Sequence, residues 1–83
     1  MEFWCLSKLH QEWDDYYIDQ IILHFKTIEE AMEKFNDYVD SYIENLELEE
    51  DDYEIANDEE SAEFKLYIED MCDVVINVDK IKL

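Results

Sequence analysis

The stretch whose reading decides the fold is "SAEFKLYIEDMCDVVINVDKIKL", residues 61–83. Two periods compete in it. Ala62, Phe64, Leu66 and Ile68 alternate with polar residues, as in a half-buried strand, whereas Phe64, Ile68, Met71, Val75 and Val78 also fit a helix. β-branched content arbitrates. "VVINVDKIKL" is rich in Val and Ile and ends in alternation, so the stretch reads as two strands, about Ala62–Ile68 and Val74–Leu83.

Upstream, residues 47–60 are nearly all acid and read as a loop or a weak edge strand. Within them Tyr53 and Ile55 alternate, and Asn57-Asp58 suits a turn. Before the acid run lies the clearest element. Thr27 stands three residues ahead of Glu30, the T-x-x-E capping-box pattern, and opens a helix. Ile28, Met32, Phe35, Val39, Tyr42, Ile43 and Leu46 then recur at spacings of three and four, the buried stripe of a helix over about Ile28–Leu46. Earlier still, "EFWCLSKL" alternates in part, with Phe3, Cys5 and Leu9 on one parity and Trp4 and Leu6 on the other. A polar turn, "HQEWDD", separates it from "YYIDQIILHF", and the two runs read as a β-hairpin. The expected fold class is α+β: a small antiparallel sheet with one amphipathic helix packed on it, in ββαββ order.

Eighty-three residues make a single compact acidic domain, residues 1–83, with a core near the lower size limit. Hydrophobic content of 48% and aromatic content of 14% set the chain apart from disordered acidic tails, despite a formal charge of −19. Gly and Pro are absent, so turns must be made by Asn, Asp, Ser or longer loops. The N-terminus lacks the positive region of a signal peptide, and no apolar run exceeds four residues, which argues against a membrane span. With Cys5 and Cys72 read as reduced thiols, a cytoplasmic location is expected.

The charge is patterned. Glu30, Glu33, Asp37, Asp40, Glu44 and Glu47 alternate spacings of three and four, which sets them in one row opposite the apolar stripe, about 5 Å apart along the axis. Only Lys34 interrupts the helix's acids. Like charges at such spacings cost about 0.2–0.5 kcal/mol per pair, and interspersed lysines would secure solubility more cheaply. Glu49, Glu50, Asp51 and Asp52 continue the acidity beyond the helix, and Asp14 and Asp15 flank Trp13 in the hairpin turn. A compact chain of this length has a diameter near 30 Å, and about 30 Å of duplex DNA carries roughly 18 charges. Charge for length, the domain approaches one turn of DNA. An aromatic such as Trp13 between acids suits a protein interface, where it could stack on an arginine.

Small size, extreme acidity and abundant aromatics make the chain similar to phage-encoded DNA-mimic proteins: anti-restriction proteins, anti-CRISPR proteins and uracil-DNA glycosylase inhibitors. The resemblance is one of character over the whole chain and carries no motif. It implies a non-enzymatic inhibitor whose partner is a basic nucleic-acid-binding protein, a bacterial defence nuclease such as a CRISPR effector, in the cytoplasm of the host cell. Carboxylates would meet the arginines that otherwise read DNA.

Other chemistry finds little support. His10 and His24 have no partner at a motif spacing, and glycine-based phosphate loops are impossible. "DDYEIANDEE" lacks the glycine and ligand spacing of a calcium loop, and the cysteines make no zinc pattern. No enzyme, cofactor or metal site is therefore expected, and direct nucleic-acid binding is opposed by charge. The rival reading is a self-associating module whose acids are only a solvated face, with "VDKIKL" pairing edge to edge in a homodimer.

Overall fold

The computed structural model describes residues 2–12, 17–68 and 72–82. Strands β1 (Glu2–Glu12) and β2 (Tyr17–Phe25) lead into helix α1 (Ile28–Leu46). A short 3-10 turn (Glu50–Asp52) then precedes β3 (Tyr53–Asn57), β4 (Ala62–Ile68) and β5 (Cys72–Lys82). All five strands form one antiparallel sheet in the order β2-β1-β5-β4-β3.

The expected ββαββ order is thereby corrected to ββαβββ, with the 3-10 turn after the helix. Strand β3, inside the acid run, pairs Tyr53 with Leu66 and Ile55 with Phe64. This is the weak edge strand offered as one of the two readings of residues 47–60; the expected order omitted it because only two of its residues are large and apolar and its hydrogen bonds come from β4. The "HQEWDD" turn is corrected as well: His10, Gln11 and Glu12 belong to β1, and Glu12 pairs with Tyr17. "VDKIKL" lies in the central strand. β5 is bonded to β1 along its length and to β4 from Cys72 to Val78, so residues 79–82 keep an open edge on the β4 side.

The pleat sorts side chains onto two faces. On β5, Cys72, Val74, Ile76 and Val78 are buried, and their neighbours in register are Leu6 on β1 and Ala62, Phe64 and Leu66 on β4. α1 lies over this face, contacting β1, β5 and β2, and inserts Ala31, Phe35 and Val39 into the core. Ala31, absent from the helix stripe read from sequence, is fully buried; a small side chain there lets the helix approach the strands closely. The opposite face of the sheet has no helix on it.

Both helix ends follow from local chemistry. Thr27 is extended (φ −129°, ψ 154°) and its Oγ1 accepts the Glu30 N–H at 3.2 Å. At the other end Glu47 takes the left-handed conformation (φ 51°, ψ 49°). Its N–H donates to Glu44 O, and the Leu48 N–H donates to Ile43 O at 3.0 Å, the Schellman arrangement. That position favours glycine, and a chain without glycine fills it with a glutamate, at a conformational cost of about 1 kcal/mol.

Candidate functional site: an acidic helix face

Glu30, Glu33, Asp37, Asp40 and Glu44 are all exposed on the outer side of α1, opposite Ala31, Phe35 and Val39, and Glu47 extends the row at the cap. Over 19 residues the helix is about 28 Å long at about 1.5 Å per residue. The acids thus form a continuous stripe on the outermost layer of the molecule. Glu29 and Glu30 at the N-terminal turn meet the positive end of the helix dipole, but the last turn holds no basic residue to meet the negative end.

Glu49, Glu50, Asp51 and Asp52 continue the chain from the row onto a different part of the surface. The 3-10 turn packs on β3 and β4, whereas α1 packs on β1, β5 and β2. Asp52 also has a structural task, since its Oδ2 accepts the Glu49 N–H at 2.9 Å. Trp13, Asp14 and Asp15 lie outside the described residues. The sequence-derived set therefore separates into a helix row and a 3-10 turn. Near that turn, an open groove of about 450 Å³ brings Asp51, Asp52 and Glu54 together with Lys65, Tyr67 and Asp73. Sequence spacing gave no sign of that assembly, because it draws on three strands.

The cations are placed elsewhere. Lys8 pairs with Asp19 at 3.5 Å, Lys65 with Glu63 at 3.0 Å, and Lys82 with Glu2 at 3.9 Å. Lys80 reaches both Glu60 at 2.9 Å and Glu2 at 3.4 Å. Its pKa is raised, chiefly by the hydrogen bond to Glu60. Every ion pair among the described residues has its cation on a strand, and none includes an acid of α1 or of the Glu47–Asp52 segment. Lys34, the single helix lysine, lies 5.0 Å from the Tyr38 ring centroid. The row is thus exposed and uncompensated.

The chain matches no protein-family model, and it has no match among curated proteins or solved structures.

A half-buried polar cluster between helix and sheet escaped sequence reasoning. Lys8, on the helix-facing side of β1, sits 4.9 Å from the Tyr38 ring and 5.8 Å from the Tyr42 ring. His10 Nδ1 lies 2.8 Å from the Tyr42 hydroxyl, and His10 Nε2 lies 3.2 Å from Glu12 Oε1. These contacts tie the C-terminal half of the helix to β1. Their role is to hold the acid-bearing helix in place.

The longest dimension of the chain is 42 Å and its radius of gyration 13.3 Å. About 42 Å of duplex carries roughly 25 charges at one per about 1.7 Å. Averaged over the whole molecule, the formal charge of −19 is therefore somewhat sparser than that of DNA, and the near-equality expected from a 30 Å sphere is revised. Locally, acids about 5 Å apart along the helix compare with phosphates about 3.4 Å apart along one strand. No helix among the described residues is long and apolar enough to cross a membrane.

Proposed function

We propose that this protein is a non-enzymatic inhibitor that presents the α1 acid row to the basic groove of a nucleic-acid-binding protein and excludes the nucleic acid from it. The target class is a defence nuclease such as a CRISPR effector. One observation carries this reading. The row from Glu30 to Glu47 is exposed along a rigid element, and none of its acids has a cationic partner among the described residues.

A helix fixes carboxylates at regular intervals without the entropy cost of ordering a loop. Arginines that read guanine edges in a bidentate manner accept a carboxylate in the same geometry. Binding would release counterions from both surfaces, as DNA does, so the complex should weaken steeply with salt. Glu49–Asp52 would extend the contact where the partner's groove curves around the sheet edge.

The test is a tagged pull-down from bacterial lysate, eluted by a salt gradient, with competition by DNA and by guide RNA. A single nuclease held to moderate salt and displaced by its own nucleic acid supports the proposal. A smear of basic proteins released at low salt refutes it. Once a partner is identified, the triple variant Asp37→Asn, Asp40→Asn, Glu44→Gln should bind it more weakly. About tenfold or more is expected for each carboxylate that meets an arginine, given about 1.5–3 kcal/mol per charged hydrogen bond.

A further inference from the structure

The sheet face opposite α1 is not built as a solvent face. Antiparallel sheets with one wet side alternate apolar-in and polar-out. Here the outward parity of β1, β2 and β5 carries Phe3, Leu9, Ile18, Ile22, Val75 and Ile81, interleaved with Ser7, Gln11, Gln20, His24, Asp73, Asn77 and Asp79. The register sets Leu9 between Gln20 and Val75, with Ile18 and Ile22 on the diagonals of Leu9 across β2. Ile18 is 64% exposed and Ile22 56%, so no described residue covers them.

We infer that this face is covered by a second copy of the same chain, the two sheets packing face to face around a two-fold axis. Area and charge both favour this occupant. Strands of 9, 11, 11, 7 and 5 residues, at about 3.3 Å per residue and about 4.8 Å between strands, outline a face of roughly 700 Å². That is the outline of the whole face, polar positions included; a standard interface buries about 800 Å² per partner and is itself only a little over half apolar.

Charge is sparser on this face than over the chain as a whole, though acids still outnumber lysine on it. The outward strand positions hold only four described acids, Glu54, Glu63, Asp73 and Asp79, and Lys65 is bonded to Glu63 at 3.0 Å. The α1 rows would lie on the two outer surfaces of the dimer. Two sheets about 10 Å apart, each backed by a helix about 10 Å across, separate those rows by at least about 30 Å. That is several times the Debye length of about 8 Å at physiological salt. The inference goes beyond the proposed inhibitor function and does not depend on it.

Sedimentation equilibrium of the full chain at low and high NaCl, with far-UV circular dichroism as a folding check, tests it. The expected mass is about twice the 10.2 kDa of one chain, with dimerisation strengthening as salt rises. The double variant Ile18→Thr, Ile22→Thr, which keeps β-branching and backbone pairing, should be a monomer with an unchanged spectrum. A wild-type chain that stays monomeric at every concentration and salt would overturn the inference. So would a folded double variant that still dimerises, since the contact would then run through the β2 edge. If the variant unfolds, labelling of wild-type Cys5 by a bulky maleimide decides. Cys5 lies on the same face, so its rate should fall as protein concentration rises; a rate independent of concentration overturns the proposal.

Discussion

The two broad faces of the molecule are made by the same strands and differ in nearly everything they show to solvent. One is roofed by α1, whose outer side carries acids without partners. The other is bare sheet, with isoleucines where polar residues would be expected and four acids among its strand positions. A net charge of −19 spread evenly would keep every surface soluble and every surface repulsive. α1 and its cap carry seven of the 25 acids, whereas the described strand positions of the sheet side carry four, which leaves that side freer to make apolar contacts. A composition total hides that division; only the strand register reveals it.

The most severe way to break the comparison is to remove what both faces share. Phe64 and Phe35 are fully buried between sheet and helix. Phe64→Ala should cost about 3–5 kcal/mol in urea unfolding, a large part of the stability of a domain this small. A loss below about 1 kcal/mol would show that the core does not lie where the packing puts it.

Next in size is the acid row itself. Neutralising Asp37, Asp40 and Glu44 relieves like-charge contacts with Glu33 and Glu47 as well as among themselves, and unloads the negative end of the helix dipole. The variant should be more stable than wild type by about 1–2 kcal/mol at low salt, and the gap should narrow as NaCl screens the wild-type chain. Loss of stability would mean that those acids serve the fold, and the functional reading of the row would fail with it.

Glu47→Gly is a sharper probe of one position. Relief of left-handed strain in a glutamate should raise stability by about 1 kcal/mol, readable as a shift in the urea midpoint with unchanged slope.

The smallest effect belongs to the bare face. The Lys65 pKa is raised above 10.5, mainly by its hydrogen bond to Glu63. A cation favoured by folding contributes stability below pH 10.5 and loses it as pH rises through the raised value. Wild type should therefore melt slightly above Lys65→Met at neutral pH, and the difference should vanish in strong alkali. Across the faces, half-buried Cys5 should react with a thiol reagent before Cys72, whose thiol is pushed up in pKa mainly by burial.

What was legible in the sequence follows which interactions are local. Thr27 and the spacing of three and four from Ile28 to Leu46 mark the helix to both its ends, because capping and amphipathicity act within one segment. For Ala62–Ile68 alternation competed with a helical period, and the β-branched run that follows it decided for a strand. β3 was obscured, since five residues dominated by acid become a strand only when β4 supplies the hydrogen bonds. The two parities of β1 were visible, yet which one faced the core depended on β5, nearly the whole chain away. His10 was misplaced in a turn because a polar residue facing the core is justified by partners such as Tyr42, 32 positions on. For the candidate site, the helix row was readable from spacing, while its lack of compensating lysines was not: that required knowing that Lys8, Lys65 and Lys80 engage acids on strands and turns instead.

The strand order also governs how the chain reaches this structure. β1 and β2 form one hairpin, and β3, β4 and β5 form a meander; each unit joins residues near in sequence. The seam between them, β1 against β5, pairs Glu2 with Lys82 and must close a loop of nearly the entire chain. Closing long loops slows folding far more than it lowers stability, so this domain should fold on the millisecond-to-second scale of β-rich topologies. The helix spans that seam, touching β1 and β5 together, and acts as its clasp. The acids that weaken α1 therefore tax the step that joins the two halves, and salt should quicken folding by easing it.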